Sequence, residues 1–197
     1  MSGAGEAWDE RYRAGRTAWE RGGLHPAFLA WREAGALRPC RILVPGAGRS
    51  PEPQALAESG FDVTAVDAAP SAAAAQRERL GAAHVVQADL LAWNPPTPFD
   101  AIYDQTCLCA LPPSDRAAYE ACLRRWLRPG GTLFALFMMT GREGGPPFDC
   151  PPAEMRALFP ADRWAWPADM PPPVPHSIGY LEQPAALGRL PAESRLA

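Results

Sequence analysis

The chain has 197 residues, a hydrophobic content of 47% and a formal net charge of -3 at pH 7. This length suits one α/β domain with a substantial core, because a domain of this size buries roughly 70% of its unfolded surface. The acidic balance leaves no basic face for a phosphate backbone, so we expect no nucleic-acid partner. Residues 1–10 lack the features of a secretory signal, and no apolar run approaches the roughly 20 residues that cross a bilayer. We therefore expect a cytoplasmic protein without a membrane partner.

The reactive residue types narrow the chemistry. All 19 basic residues are arginine, which excludes any mechanism that needs a lysine amine. The five cysteines are odd in number and lack the paired spacing of a zinc site, so the sequence predicts a reducing compartment and no metal. Cys107 and Cys109 could form a metal or redox pair, but their alternation in an apolar segment favours ordinary buried packing.

The first predicted strand is the short apolar run at residues 41–44, typical of a strand buried on both faces of a parallel sheet. It leads into a Pro-Gly-Ala-Gly sequence at residues 45–48. Gly46 and Gly48 let the backbone turn sharply and approach a ligand without an intervening Cβ.

A helix is predicted at residues 53–59, ended by Gly60, and a second strand at residues 61–66 leads to Asp67. Open α/β sheets bind ligands at the carboxyl ends of their strands. One strand, turn, helix and strand would therefore bring a glycine turn and a ribose-binding carboxylate to the same ligand. We predict a nucleoside cofactor pocket; the alternative is a structural turn with a solvated aspartate.

The pattern repeats in the next unit. An alanine-rich helix is predicted at residues 72–80, and a third strand at residues 84–88 ends at Asp89. Because an exocyclic amine needs an acceptor, Asp89 could hold the base of a bound nucleoside. It could instead cap the turn that follows.

The second half of the predicted sheet needs two more strands, at residues 99–104 and 132–139. An irregular apolar loop at residues 107–113 and a helix at residues 114–127 lie between them, and the Arg-Pro-Gly-Gly turn at residues 128–131 ends the helix. Strands that alternate with helices in this way predict a mostly parallel sheet covered on both faces.

The remaining chain has a different character, since residues 146–197 hold 12 of the 24 prolines. We predict one helix there, at residues 152–159, and otherwise an extended cover over the sheet edge that fades into a loose tail after about Leu181. The proline run at residues 171–175 could be a polyproline ligand, but the aromatic residues around it favour packing on its own domain.

Several of these segments, taken together, resemble a known protein family. The turn at residues 45–48, Asp67, Asp89, Asp104 and the turn at residues 128–131 resemble, in this order, the class I S-adenosylmethionine-dependent methyltransferases. The last of these turns separates that class from dinucleotide dehydrogenases. More narrowly, four segments are similar to the thiopurine S-methyltransferase family and its halide and thiocyanate methyltransferase relatives: residues 8–12, 15–19, 111–116 and 144–148. The resemblance covers roughly residues 8–160, and its N-terminal part is the most specific.

The resemblance implies an α/β fold with a doubly wound, mostly parallel sheet of the seven-stranded, Rossmann-like type. It also implies a single methyltransferase domain over residues 1–197 with four parts. These are an N-terminal helical lid (1–37), a cofactor-binding core (38–140), a substrate-side cover with edge strands (141–183) and a loose tail (184–197).

The resemblance further implies S-adenosyl-L-methionine as the cofactor and assigns residues to it. Asp67 would bind the ribose hydroxyls, and Asp89 with Leu90 would lie at the adenine. The glycine turn and the lid aromatics would complete the cofactor site, which comprises Trp8, Tyr12, Thr17, Trp19, Gly46, Gly48, Asp67, Asp89 and Leu90. Without the family match, the aromatic residues would be interpreted as core packing of an amphipathic helix.

A sulfonium methyl is already activated, so the protein mainly has to align the acceptor and exclude water. A thiol needs only modest help to ionise, and the sequence offers no persuasive histidine base, since even His25 fits a helix-start turn. We therefore expect a small soft acceptor: a thiol or thiopurine sulfur, selenium, thiocyanate or a halide. Asp104, for orientation or weak base assistance, and Arg116, for an anionic acceptor or the cofactor carboxylate, are the predicted catalytic residues.

The sequence departs from the family pattern in two places, and it leaves two other functions open. Ser50 replaces the third glycine of many methyltransferases, and the last expected strand is interrupted by proline and weakly apolar. The glycines and Asp67 also allow an NAD-type oxidoreductase, although no hydride site is visible. The proline-rich end allows a non-catalytic cofactor-binding protein.

Overall fold

The computed structural model describes residues 3–191, which fold around one mixed eight-stranded sheet. The strands are β1 (Arg41–Pro45), β2 (Asp62–Asp67), β3 (Val85–Gln87), β4 (Phe99–Gln105), β5 (Leu127–Met139), β6 (Trp164–Ala165), β7 (Val174–Pro175) and β8 (Leu181–Arg189). The helices are α1 (Gly3–Arg13), α2 (Pro26–Glu33), α3 (Glu52–Glu58), α4 (Pro70–Leu80), α5 (Arg116–Trp126) and α6 (Pro152–Leu158).

The strand order creates a crevice at the centre of the sheet. The order is β3-β2-β1-β4-β5-β8-β6, with β7 beside β8. The chain moves outward from β1 to β3 and then returns to add β4 on the other side of β1, and these strands and β5 pair in parallel. Connections therefore leave β1 and β4 in opposite directions, which is the arrangement that opens a ligand site at the carboxyl ends of such strands.

Alternating side chains of the central strands supply two separate cores. On β1, Ile42 and Val44 belong to one apolar cluster with Phe28 of α2 and Leu56 of α3. Leu43 points to the other face, into a cluster that includes residues of α5 and α6. Both faces of the sheet are thus covered, as the continuous apolar strand sequence requires, and the predicted doubly wound α/β fold is confirmed.

The Arg-Pro-Gly-Gly turn differs in detail from the prediction. We expected it to separate helix from strand, whereas β5 already begins at Leu127. Phe99 pairs with Leu127 and Ala101 pairs with Thr132, so residues 128–131 bulge out of the ladder. Gly131 fits this bulge because a Cβ there would lie 2.7 Å from the Asp100 carbonyl oxygen.

The expected loose tail from residue 184 is wrong for residues 184–189. These residues belong to β8, which pairs antiparallel with β5 from Leu181 to Gly188. Proline costs a strand little where its missing N–H is not needed for pairing. On its outer side β8 meets β7 at residues 181–182 and β6 at residues 188–189, so Pro184 lies between these two short pairings. The last six residues of the predicted tail lie outside the described part of the chain.

No helix within residues 3–191 is both long enough and apolar enough to cross a membrane.

Candidate cofactor and acceptor site

A cavity of about 710 Å³ opens at the carboxyl ends of the parallel strands. Its wall includes Gly46 after β1, Asp67 at the end of β2, and Asp89 with Leu90 after β3. Three consecutive strands therefore bring four of the predicted cofactor residues to one surface. The volume lies within the roughly 300–1,000 Å³ typical of small-molecule pockets.

The glycine turn is tightly packed on both sides. Gly46 and Gly48 have φ angles of 57° and 54°, a conformation that residues with a Cβ rarely adopt. A Cβ on Gly46 would lie 2.8 Å from Cys107 Sγ, and one on Gly48 would lie 2.7 Å from the Tyr12 hydroxyl oxygen. Gly46 lines the cavity, whereas Gly48 faces the lid and is not part of the wall. The turn thus needs both glycines, for different neighbours.

Asp67 fixes this turn in addition to facing the cavity. One carboxylate oxygen accepts a hydrogen bond from the Gly48 backbone N–H at 2.8 Å, and the other accepts one from Ala69 N–H, also at 2.8 Å. Burial raises the pKa of the Asp67 carboxyl, and the backbone donors oppose that shift. The side chain is therefore held rigidly at the rim, with lone pairs left over for a ligand hydroxyl.

Asp89 combines the two roles that the sequence left open. Its carboxylate accepts a hydrogen bond from the Leu91 backbone N–H at 3.0 Å, which caps the turn after β3. The same residue lines the cavity beside Leu90. The cap orients the carboxylate, and its contact with adenine stays a prediction.

The lid consists of α1 and the segment that follows it. Trp8, Tyr12 and Trp19 line the cavity, and the Trp19 ring lies edge-on to the other two, with centroid distances of 5.4 Å and 5.7 Å. Tyr12 also packs on α4 residues. These aromatics therefore form an apolar roof and a small core cluster at once. Thr17 is not in the wall; its hydroxyl accepts a hydrogen bond from Arg49 at 3.3 Å.

Asp104 lies behind the cavity wall. It is buried, and its carboxylate accepts hydrogen bonds from the Cys107 backbone N–H at 3.0 Å and from the Tyr119 hydroxyl at 2.9 Å. Burial raises the pKa of this carboxyl to about 6. Asp104 does not line the cavity, and this placement does not fit the direct catalytic contact expected from the sequence. It orients the turn at Cys107, which does line the cavity.

Arg116 is also outside the wall. Its guanidinium is buried, donates to the Asp149 carbonyl oxygen at 2.7 Å and lies 3.5 Å from the Glu154 carboxylate. It therefore ties the start of α5 to the segment before α6. This segment follows Pro146 and Pro147, which do line the cavity. As with Asp104, the geometry supports a positioning role and not the direct contact that we expected.

His25 serves the scaffold. Its Nδ1 accepts a hydrogen bond from the Ala27 N–H at 3.0 Å and caps α2, and its Nε2 lies 3.0 Å from the Glu182 carboxylate. It is fully buried and away from the cavity.

The sequence did not identify the rest of the wall. Loop residues after β4, residues from β5 and the loop after it, and two lid arginines complete it, including Arg11, Arg16, Thr106, Cys107, Cys109, Asp115, Met138, Pro146, Pro147 and Ile178. Two signals were available in advance: the apolar character of residues 107–113, and the family resemblance of residues 8–12, 15–19, 111–116 and 144–148. Cys107 and Cys109 are free thiols, and within residues 3–191 no cluster of three His, Cys, Asp or Glu side chains could hold a metal ion.

These residues fit a nucleoside sulfonium. A glycine turn without Cβ atoms allows close approach of the backbone, carboxylates at two strand ends suit hydroxyl and amine donors, and aromatic rings tolerate a cation. A second cavity, beside α6, measures about 70 Å³ and is too small for such a ligand.

Comparison with known proteins agrees with this geometry. The family model for thiopurine S-methyltransferase matches residues 4–166. The chain is 30% identical to probable thiol methyltransferase 2 of Arabidopsis thaliana, over 77% of this chain and 70% of the relative. It is 30% identical to thiocyanate methyltransferase 1 of Brassica oleracea, over 72% of this chain and 66% of the relative.

Among solved structures, the 1,6-didemethyltoxoflavin N1-methyltransferase of Burkholderia thailandensis superimposes with a TM-score of 0.75 at 23% identity, covering 94% of this chain and 87% of that one. This likeness supports the class I methyltransferase fold. The family match decides against the oxidoreductase and the non-catalytic alternatives. The chain belongs to the thiopurine S-methyltransferase family and is an S-adenosylmethionine-dependent methyltransferase.

Proposed function

We propose that this enzyme methylates the sulfur of a small apolar thiol that ionises before methyl transfer. Its relatives are named for thiol and thiocyanate acceptors, both of which present a soft sulfur nucleophile. The observation that carries the proposal is the composition of the cavity wall above β4, β5 and β8.

The sheet order divides the cavity into two parts. The cofactor half lies over β1, β2 and β3, whose ends supply Gly46, Asp67 and Asp89. The acceptor half lies over β4, β5 and β8. The wall of the acceptor half is built mainly from small or apolar residues: Cys109, Ala110, Leu111, Met138, Pro146, Pro147 and Ile178.

The acceptor half offers little for removing a proton. Within the described residues its wall contains no histidine, and its carboxylate is Asp115, whose oxygen accepts a hydrogen bond from the Ser114 hydroxyl at 3.1 Å. A thiol with a pKa near 8.5 is already a few per cent ionised at neutral pH, whereas an alcohol is not. This wall therefore suits an acceptor that loses its proton to solvent.

When bound, S-adenosylmethionine supplies a methyl group on a sulfonium, from which the acceptor sulfur displaces S-adenosylhomocysteine in one in-line step. The chain contributes alignment and water exclusion. The turn at residues 106–112 places the acceptor against the cofactor half. Trp8, Tyr12 and Trp19 cover the reacting atoms with aromatic faces that are compatible with a cation.

The proposal is tested with a series of aryl and alkyl thiols of graded pKa, each paired with the corresponding phenol or alcohol. We expect kcat/KM to rise with pH until the acceptor thiol is ionised, so that the midpoint follows the acceptor from one thiol to the next. The oxygen analogues should give no turnover. A midpoint that stays fixed across the series would contradict the proposal, because it would report an ionising group of the enzyme.

Asp115→Asn is the matched control. If the acceptor ionises in solvent, the variant keeps the same midpoint for every thiol. If Asp115 is a base, the variant loses the dependence on pH. Thiocyanate and iodide, which need no deprotonation, form a further arm and should show no rise in rate over the same pH range.

A further inference from the structure

Residues 17–21, which contribute Ala18 and Trp19 to the cavity wall, are attached to two different parts of the fold. We call this segment the strap. The strap follows α1, which carries Trp8 and Tyr12, and leads on to α2. It contributes Trp19 to the cavity wall. One attachment comes from the turn after β1 and the other from β8 and the segment before it, and each includes an arginine–glutamate ion pair.

The first attachment is Arg49, directly after the glycine turn. Its guanidinium donates to both carboxylate oxygens of Glu20, at 2.7 Å and 3.0 Å, and to the Thr17 hydroxyl at 3.3 Å. It also lies over the Tyr12 ring, 5.0 Å from the centroid. One side chain thus contacts the lid helix and two residues of the strap, with the bidentate geometry that gives arginine pairs their directionality.

The backbone around Arg49 is held by hydrogen bonds from side chains of α4. The Arg79 guanidinium donates to the Arg49 carbonyl oxygen at 2.7 Å, and the Gln76 amide donates to the carbonyl oxygens of Gly48 at 3.1 Å and Ser50 at 2.9 Å. Two side chains of α4 therefore hold the backbone of the turn from which Arg49 projects.

The second attachment lies at the C-terminal side. Arg21 contacts the Glu182 carboxylate at 2.6 Å and donates to the Pro175 carbonyl oxygen. The Ser177 hydroxyl donates to the Ala18 carbonyl oxygen at 3.1 Å. Glu182 also lies within hydrogen-bond distance of His25, so this attachment of the strap joins a buried polar network.

The two ion pairs differ in solvent exposure. The side chains of Arg49 and Glu20 are 33% and 30% exposed, whereas those of Arg21 and Glu182 are 16% and 0% exposed. A partly exposed pair is weakened by salt and contributes little, whereas breaking a buried pair leaves an uncompensated charge in the interior. If the strap moves, we expect the Arg49–Glu20 pair to separate before the Arg21–Glu182 pair.

We propose that the Arg49–Glu20 pair is the latch of the lid and that Arg49 is a positioning residue that controls cofactor exchange. Trp8, Tyr12 and Trp19 line the cofactor half, so movement of these side chains would widen the path for entry of the cofactor and release of the product. The latch joins the lid to the glycine turn beneath it. The Arg21–Glu182 pair stays closed and serves as the pivot.

The test measures release of S-adenosylhomocysteine from the full chain by stopped-flow tryptophan fluorescence, for which Trp8 and Trp19 are built-in probes. Arg49→Met and Glu20→Met should each speed release by about fivefold, the upper limit for a partly exposed pair. The double variant should be no faster than Arg49→Met alone, because the ion pair that Glu20→Met removes is already absent from that variant. Arg49→Lys keeps the charge but not the fork and should give an intermediate rate.

Salt supplies a second readout. Raising the ionic strength should speed release from the unmodified enzyme and have little effect on Arg49→Met. Arg128→Met, which removes an ion pair to Asp100 far from the lid, is the matched control and should leave release unchanged. The proposal is overturned if the two single effects add, if release does not respond to salt, or if the control behaves like the latch variants. None of these measurements involves an acceptor, so their outcome does not depend on whether the proposed thiol is the substrate.

Discussion

The two halves of the cavity are built by different means. In the cofactor half, Gly46, Asp67 and Asp89 stand at the ends of three different strands, and the two carboxylates are fixed by backbone N–H groups within two residues or from the neighbouring turn. In the acceptor half, the wall comes from a long loop, a proline-rich segment and the approach to β8, and it is held by buried side chains that are distant in sequence. Local backbone geometry thus shapes the cofactor half, whereas packing between distant segments shapes the acceptor half.

The largest effect is expected at the glycine turn of the cofactor half. Gly46→Ala places a Cβ 2.8 Å from Cys107 Sγ in a backbone conformation with φ of 57°. Strain and displacement together should weaken S-adenosylhomocysteine binding by about 100-fold, measured by calorimetry. Gly60→Ala is the matched control, because its φ is 86° but nothing lies within 4 Å of the added Cβ. Equal losses of affinity in the two variants would remove the distinction between this turn and an ordinary one.

The pH dependence of the free energy of unfolding tests the buried carboxyl of Asp104, which supports the wall of the acceptor half. Burial raises the pKa of Asp104 from 3.8 to about 6, so the folded state binds this proton more tightly than the unfolded state. The stabilisation from the proton is complete below pH 3.8 and is lost as the pH rises through about 6. Relative to Asp104→Asn, the unmodified protein should lose about 3 kcal/mol of unfolding free energy over this range.

The control for this titration has the opposite sign. An ion pair with Arg128 lowers the pKa of Asp100, so its stabilisation is present at neutral pH and is lost as the pH falls. Asp100→Asn should therefore differ from the unmodified protein near neutrality and converge with it in acid. Urea unfolding at each pH measures both variants, and a flat difference for Asp104→Asn would mean that its carboxyl titrates normally.

Arg116 distinguishes a contact with the acceptor from support of the wall. Because its guanidinium is buried against Asp149 and Glu154, Arg116→Met should lower the free energy of unfolding by about 1–3 kcal/mol. We also expect the KM for the acceptor to rise while binding of S-adenosylhomocysteine changes little. Full stability with a large fall in kcat would instead restore the direct role that the sequence suggested. Arg125→Met, on the exposed side of the same helix, should change neither.

The smallest effect is expected from a change of size in the acceptor half. Cys109→Val adds volume at the wall and should raise the KM of bulky thiols about threefold, less than the roughly tenfold or more that one methylene is worth in a closely fitting pocket. Small thiols and the cofactor should be unaffected. Cys122→Val, at a buried cysteine outside the cavity, should leave the acceptor KM values unchanged. A uniform rise for all thiols would argue that Cys109 touches the reacting atoms.

This contrast also explains what could be predicted from the sequence. Glycines, strand-end carboxylates and helix boundaries depend on local residues, so the order from β1 to β5 and the positions of Gly46, Asp67 and Asp89 were predictable. The lid aromatics needed a family resemblance, because their spacing alone fits core packing. The last strand was expected, but most of β8 was assigned to a loose tail, because Pro184 interrupts it and its pairing partner lies about 50 residues away.

The positioning roles of Asp104, Arg116 and Arg49 could not have been predicted from the sequence. Asp104 and Arg116 stood out as charged residues near the predicted site, but whether such a side chain faces the cavity or the core depends on the packing of α5 and α6. Arg49 gave no signal, because its partners Thr17 and Glu20 lie about 30 residues away in a segment without regular structure.

Strand β8 also bears on how copies of this protein behave when crowded. Within residues 3–191 its outer side pairs at the two ends alone, with β6 and β7, and Pro184 stands between them without an N–H to donate. At the opposite margin of the sheet, β3 is three residues long. In the described part of the chain, neither margin offers a long template on which another chain could add a strand. Replacing Pro184 with a residue that donates a hydrogen bond would lengthen that template and should favour aggregation in concentrated solution.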